Sequence, residues 1–171
     1  MMDPLPDDRF AELFRGHHAR LVALARRVLG DLDEAQDAAQ EALLALRTDP
    51  VASRGDDDVA AWLSRVVTNG SLNRLRTRRR ADARAQIVGA RDRALPLDAT
   101  ADAVVGADER ERVRASLASL PERQAAALLL RHTGHSYREI AGALGVAEGS
   151  VGVLLARGER AFRGAYEEMD R

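Results

Sequence analysis

Apolar residues recur along this chain at intervals of three and four, which is the spacing of one face of an α-helix. The first stripe ends at Gly30, a favourable helix stop; it comprises Phe10, Leu13, Phe14, Leu21, Leu24, Ala25 and Val28. A second helix is predicted from Asp31 or Asp33 to Arg47, with these residues inward: Ala35, Ala38, Ala39, Ala42, Leu43 and Leu46. Runs of β-branched residues are scarce, so the pattern predicts an all-α protein.

A third helix follows a stretch, Thr48 to Asp58, that its Pro, Gly and Ser content marks as a loop. The helix reads "VAAWLSRVVTNGSLNRLRTRRR". Its first half is predicted to pack through Trp62, Leu63, Val66 and Val67. Its second half carries a ladder of arginines. From residue 61 to 93 there are nine Arg and two Asp, whereas residues 1 to 60 hold seven Arg against 13 acidic residues. One part of the protein therefore suits a polyanion and another suits a basic partner.

Helical periodicity fades between residues 85 and 108, where Gly, Pro96 and acidic residues mix. We interpret this segment as a flexible linker. It divides the chain into two small helical domains, residues 9–84 and 109–166, each of a size that allows only a modest core.

The second domain has the spacing of a helix-turn-helix. Ser136 and Glu139 are predicted to form a capping box at the start of its first helix. Gly145 supplies the turn, because glycine adopts a left-handed backbone most easily. The apolar core positions are filled by Ile140, Leu144, Val146, Val151 and Leu154. The pattern favours DNA binding over a purely structural helical hairpin.

The predicted recognition helix offers few side chains that read bases, since direct readout relies on groups such as Arg, Asn and Gln. We therefore expect it to contact phosphates and to read the shape of the groove. The alternative is that Val153 and Ala156 face a protein partner. The predicted DNA-binding residues of this domain are Arg138, Glu148, Gly149, Ser150, Gly152, Val153, Arg157 and Arg160.

Composition argues against several other classes of protein. The chain has no Cys, which rules out disulfides and thiolate metal sites. His132 and His135 are three residues apart and His17 adjoins His18, but no carboxylate pattern accompanies them; we predict no metal and no cofactor. No pattern of nucleophile and base is present, so no enzyme activity is expected. No apolar run approaches the roughly 20 residues of a membrane span, and the acidic start is unlike a signal peptide. We expect a cytoplasmic protein without membrane insertion.

Three segments, in this order, resemble the extracytoplasmic-function class of bacterial RNA polymerase sigma factors. "DEAQDAAQEALLAL" is similar to that family's helix for docking on the polymerase clamp, and "AWLSRVVTNGSLNRLRTRRR" to its helix for recognising and melting the promoter −10 element. "LASLPERQAAALLLRHTGHSYREIAGALGVAEGSV" is similar to its −35-binding domain. The resemblance covers nearly the whole chain. It implies a sigma factor that binds core RNA polymerase and promoter DNA and is held in check by an anti-sigma factor.

The resemblance also assigns roles to residues. Polar side chains on the outer side of the second helix would meet the basic clamp: Glu34, Asp37, Gln40 and Glu41. Amides and arginines of the third helix would hold the backbone of the melted strand: Arg65, Asn69, Asn73, Arg74, Arg76, Arg78, Arg79 and Arg80. In the family the preceding loop, here residues 48–58, captures a flipped base.

The chain departs from the family pattern in its recognition helix. The family places basic or hydroxyl residues where this chain has Gly152, Val153 and Leu154. It also places a serine-like cap where this chain has Ala147, which is weaker by about 1 kcal/mol. If the helix reads shape alone, Val153→Ala is expected to leave promoter choice nearly unchanged. Two alternatives stay open: a stand-alone helix-turn-helix regulator, and a protein-interaction module that has lost DNA binding.

Overall fold

The computed structural model describes residues 5–88 and 101–169. These residues form seven α-helices and one short 3₁₀ helix, and they contain no β-strand. The α-helices are α1 (Asp7–Leu29), α2 (Leu32–Leu46), α3 (Asp56–Val88), α4 (Ala101–Ser119), α5 (Glu122–His132), α6 (Tyr137–Leu144) and α7 (Glu148–Glu168); the 3₁₀ helix is Pro50–Ser53. The prediction of an all-α fold is confirmed.

A tight turn at Gly30 joins α1 to α2. Gly30 has a φ of 78°, and its N–H donates to the carbonyl of Arg26. The side chain of Asp31 then caps α2 by accepting a hydrogen bond from the N–H of Glu34 at 2.9 Å. All the residues predicted to face inward on α2 are buried, so the pattern of alanines and leucines alone located this helix and its inner face.

The predicted loop over residues 48–58 is shorter in the structure. Pro50–Ser53 forms the 3₁₀ helix, and the Asp49 side chain accepts from the N–H of Val51 at 2.8 Å. Asp56, Asp57 and Asp58 form the first turn of α3, where the partial positive charge of a helix N-terminus stabilises carboxylates. The prediction was wrong here because a run of acids is typical both of loops and of first helical turns.

The first half of the protein, α1 to α3, and the second half, α4 to α7, pack together through α3. α1 and α2 contact it on one side, and α4, α5 and α6 contact it on another. The buried side chains form two clusters, and each contains residues of both halves: Leu63 shares a cluster with Leu130, and Leu75 shares one with Leu117. The halves therefore share their apolar interior.

The predicted linker, residues 85–108, is helical at both of its ends. Residues 85–88 end α3 and residues 101–108 begin α4, whereas residues 89–100 lie outside the described residues. The domain boundaries at 84 and 109 stay a prediction.

The helix-turn-helix has the predicted local chemistry. The N–H of Ser136 donates to the Glu139 carboxylate at 2.7 Å, and the N–H of Glu139 donates to the Ser136 hydroxyl at 3.2 Å. The Ser136 hydroxyl also donates to this carboxylate at 2.9 Å, and the two hydrogen bonds from Ser136 to the carboxylate lower the pKa of Glu139. Gly145 has a φ of 63°, and Ala147 caps α7 without a side-chain hydrogen bond. Among the described residues no single helix is long and apolar enough to span a membrane; α6 and α7 reach that length and composition together but are bent by 89°.

Candidate polymerase and nucleic-acid interfaces

The outer side of α2 is a polar strip that includes one leucine. Asp37, Gln40 and Glu41 are exposed. Leu44 lies seven residues after Asp37, on the same side of the helix, and is 59% exposed. We call these four residues the α2 strip. A helix that shows carboxylate, amide and apolar groups together on one side is suited to a protein partner.

Glu34, the fourth predicted docking residue, is half-exposed and is engaged by α3. Its carboxylate pairs with Arg78, and its backbone carbonyl accepts from Arg74 at 3.2 Å. Arg74 also pairs with Glu41 at 2.6 Å. Two arginines predicted to hold DNA thus join α3 to α2 in this structure.

Two further arginines of the ladder contact the carbonyl end of α4. Arg76 donates to the carbonyls of Ala118 at 3.3 Å and Leu120 at 3.0 Å. Arg79 donates to the carbonyl of Ala115 at 2.5 Å. The last carbonyls of a helix carry partial negative charge. They therefore accept hydrogen bonds from these guanidinium groups as phosphate oxygens would.

The first of the predicted DNA-binding residues of α3 border a cleft between the two halves. Arg65 and Asn69 are half-buried and line a cavity of about 660 Å³ with Arg123 and Leu154. Asn73 and Arg80 are exposed. The sequence placed these side chains on one helix, but the structure distributes them over four surroundings: the cleft, α2, α4 and solvent.

The outward side of the helix-turn-helix is largely as predicted. Glu148, Gly149, Ser150, Val153 and Ala156 are exposed, whereas Val151 and Leu155 are buried. Leu154 is half-buried and faces the cleft with α3. The arginines predicted to contact DNA in this region, Arg138, Arg157 and Arg160, are exposed.

His135 joins the two halves. Its Nε2 lies 3.0 Å from Arg20 Nη2 of α1 and 3.3 Å from the Ser64 hydroxyl of α3. Its Nδ1 lies 3.1 Å from the carbonyl of Leu130. Because a carbonyl only accepts, Nδ1 carries the proton and Nε2 accepts from Arg20. Burial, and then the charge of Arg20, lower the pKa of His135, so the ring is neutral near pH 7.

A cavity of about 770 Å³ adjoins this junction and is lined by Arg20, Asp56, His135 and Arg138, among others. Both ring nitrogens of His135 have hydrogen-bond partners within the protein. Across the described parts of the chain, no cluster of three His, Asp or Glu side chains could hold a metal ion.

Comparison with known proteins assigns the chain to a family. The family model described as "Sigma-70 region 2" matches residues 13–81, and the one described as "Sigma-70, region 4" matches residues 110–162. The ECF RNA polymerase sigma factor SigM of Mycobacterium tuberculosis is 35% identical over 153 residues, which cover 88% of this chain and 74% of SigM. The chain belongs to the extracytoplasmic-function (ECF) family of RNA polymerase sigma factors. As a sigma factor, it directs transcription initiation at promoters.

Other relatives agree with this assignment. The ECF sigma factor SigL of M. tuberculosis is 32% identical over 160 residues, covering 92% of this sigma factor and 88% of SigL. SigW of Bacillus subtilis is 26% identical over 165 residues, covering 91% and 88%. The solved structure of Bartonella quintana RpoE in complex with the anti-sigma factor NepR superposes with a TM-score of 0.55, at 21% identity, over 95% of this chain and 98% of that one. It supports the fold.

Region 2 of the sigma factor thus covers α2 and most of α1 and α3. Region 4 covers the second half of α4, all of α5 and α6, and α7 except its end. Two exposed residues of the α2 and α7 surfaces were not predicted from the sequence. Leu44 could have been found from its seven-residue spacing after Asp37. Tyr137, 41% exposed beside α7, had no such signal, because its position relative to α7 depends on how the turn folds.

Proposed function

We propose that this sigma factor binds core RNA polymerase through the α2 strip. The observation that carries the proposal is that Asp37 and Gln40 are exposed and form no hydrogen bond or ion pair with any described residue. Neighbouring polar groups of α2, such as Glu34, are engaged by arginines. A free carboxylate and amide beside the exposed Leu44 suit a basic partner with some apolar surface.

The test of this docking surface is Asp37→Arg. We expect at least a tenfold loss of affinity for core polymerase, because like charges would face each other across the interface. Since Asp37 is exposed, the melting temperature should not change. Glu168→Arg is the matched control: it makes the same charge change at an exposed residue at the end of α7. Equal capture of both variants would show that the docking surface is elsewhere.

We further propose that the two regions bind the two promoter elements. Region 2 would hold the melted −10 strand through Arg65, Asn69, Asn73, Arg74, Arg76, Arg78, Arg79 and Arg80. Region 4 would place α7 in the major groove of the −35 element, with Arg138, Arg157 and Arg160 on phosphates. The start of α7 would approach the base edges through Glu148, Gly149, Ser150, Gly152 and Val153. Glycines at 149 and 152 would allow a close approach.

Transcription in vitro tests the whole assignment. Purified sigma factor, core polymerase and a promoter library should give specific transcript starts whose templates share −10 and −35 sequences. A stable polymerase complex that produces no specific starts would contradict the proposal.

We also propose that the sigma factor acts in the cytoplasm and is restrained there by an anti-sigma factor. Support comes from the similarly folded RpoE, whose solved structure is a complex with the anti-sigma factor NepR. The expected restraining protein forms a one-to-one complex with the sigma factor and blocks its capture by core polymerase. If no protein that forms a one-to-one complex with the sigma factor blocks its capture by core polymerase, this part of the proposal is wrong.

A further inference from the structure

The side of α7 that the proposed function turns toward DNA carries an apolar patch. Val153 is 52% exposed, and Tyr137, the first residue of α6, is 41% exposed. Gly152 lies beside the tyrosine ring: a Cβ at this position would be 3.8 Å from Tyr137 Cε2. A longer side chain there would reach across the ring. Gly152 therefore adds no side chain over the Tyr137 ring, and Val153 is the next residue of α7. We call these three residues the apolar patch.

The apolar patch is held on rigid elements. The Arg131 guanidinium lies 5.5 Å from the centre of the Tyr137 ring, at cation–π distance. Tyr137 directly follows Ser136, which forms the capping box of α6. Val153 lies on a helix whose other side is anchored by Val151 and Leu155. Side chains that are already ordered lose less entropy on binding.

The surroundings of the patch match the major groove of DNA. Gly149 and Ala156 lie one turn to either side of Val153 and are small, so the backbone of α7 can come close to base edges. The exposed arginines 138, 157 and 160 are on the same two helices and complement a polyanion. Within the major groove, the apolar group that a base pair presents is the C5-methyl of thymine.

We propose that Tyr137 and Val153 recognise the 5-methyl groups of thymines in the −35 element. The proposal rests on the proposed function, because it requires α7 to lie in the major groove. Part of the promoter sequence is then read by apolar contact, without hydrogen bonds to base edges. This differs from the expectation of shape reading, because the sequence alone did not show that Gly152 leaves the Tyr137 ring open.

Removal of single methyl groups from the DNA tests the proposal. Holoenzyme assembled from the full chain and core polymerase first selects −35 sequences from a random duplex library. Each thymine of a selected sequence is then replaced by deoxyuridine, which lacks the methyl group and keeps every hydrogen-bonding group. We expect affinity to fall about fourfold at each contacted thymine, the equivalent of about 0.8 kcal/mol for one buried methyl group. Replacements outside the −35 element should have no effect.

Variants then assign the methyl contacts to residues. Val153→Ala should abolish the deoxyuridine penalty at one thymine, and Tyr137→Ala should abolish it at another. The measured quantity is the ratio of affinities for thymine and deoxyuridine DNA, which a variant that merely weakens binding would leave unchanged. Leu32→Ala is the control, since Leu32 is an exposed apolar residue of region 2, and it should keep every penalty.

Three results would overturn the proposal. If −35 sequences are selected but no deoxyuridine replacement matters, methyl reading is wrong and the proposed function stands. If the penalties persist in Val153→Ala and Tyr137→Ala, other residues read the methyl groups. If the holoenzyme selects a −10 sequence and no −35 sequence, α7 does not read duplex DNA, and the assignment of region 4 fails together with this inference.

Discussion

At the scale of single residues, His135 shows how a side chain changes meaning once its surroundings are known. In the sequence, its three-residue spacing from His132 was considered as a metal-ligand pattern. In the structure it is 3% exposed and connects region 4 to Arg20 of α1 and Ser64 of α3. Glu139 of α6 is the nearby acid, and it lies 3.7 Å from Arg20. Burial and the charge of Arg20 outweigh the opposite effects of the Leu130 carbonyl and Glu139 on the pKa of His135, so the neutral ring is favoured.

We predict that protonation of His135 weakens the folded protein. The folded-state pKa of His135 lies below its ordinary value of 6.5, so the unfolded chain binds the proton more readily. The contribution of the neutral ring is complete above pH 6.5 and is lost as the pH falls toward the folded-state pKa.

The measurement is urea unfolding of the wild type and of His135→Gln at several values between about pH 5 and 8. The wild type should lose stability relative to the variant on the acid side, because glutamine does not titrate. Parallel curves for the two proteins would show that His135 is not the responsible group. Comparing the two proteins cancels the other groups, including His17, whose pKa is also lowered by burial.

At the scale of elements, region 4 depends on the close approach of α7 to α5. Gly158 of α7 is buried against α5. A Cβ at position 158 would lie 3.1 Å from Leu128 Cγ and 3.2 Å from the backbone carbonyl oxygen of Gln124. A backbone oxygen cannot rotate away as a side chain does. Glycine at this position therefore sets the distance between the recognition helix and the helix that supports it.

We predict that Gly158→Ala destabilises the protein although alanine favours helices. The gain in helix propensity, about 1 kcal/mol, is opposed by overpacking that costs roughly 1–3 kcal/mol. Gly164→Ala is the matched control, because a Cβ there meets nothing within 4 Å and only the gain remains. Urea unfolding should separate the two variants by about 2 kcal/mol. Equal stabilisation by both substitutions would mean that α5 and α7 move apart without cost.

At the scale of the whole molecule, the structure is a closed arrangement of regions 2 and 4. Arg76 and Arg79 are occupied by the carbonyls of α4, and Arg65 and Asn69 line the cleft between the regions. The closed arrangement therefore withholds arginines that the proposed function assigns to the melted strand.

We predict that regions 2 and 4 must separate before the sigma factor opens a promoter. A Cβ at Gly142 of α6 would lie 3.6 Å from the Cβ of Ala61 of α3, within the range for a disulfide. The chain has no other Cys, so Ala61→Cys with Gly142→Cys forms one defined link between the regions. The oxidised double variant should lose promoter opening by at least about tenfold, and reductant should restore it.

The two single-cysteine variants serve as controls, since they carry the same side chains without the link. Full promoter opening by the oxidised double variant would show that the arginine ladder works in the closed arrangement.

The sequence by itself determined most of the helices, their inner faces and, through the resemblance, the family. Helical periodicity identifies a buried stripe without knowledge of what covers it, which is why Ala35 to Leu46 and the capping box at Ser136 were predicted correctly. Motif order then identified the sigma factor. The sequence did not locate the start of α3, because acids are common both in loops and in first turns.

Only the tertiary structure decided which predicted groups are free. Contacts between residues far apart in the chain follow from packing, and no local pattern encodes them. Arg79 therefore meets the carbonyl of Ala115, Glu34 meets Arg78, and Tyr137 stands open beside Gly152. The sequence predicts which side chains are suited to polymerase and DNA. The packing of α2 and of region 4 against α3 decides which of them are exposed in the closed protein.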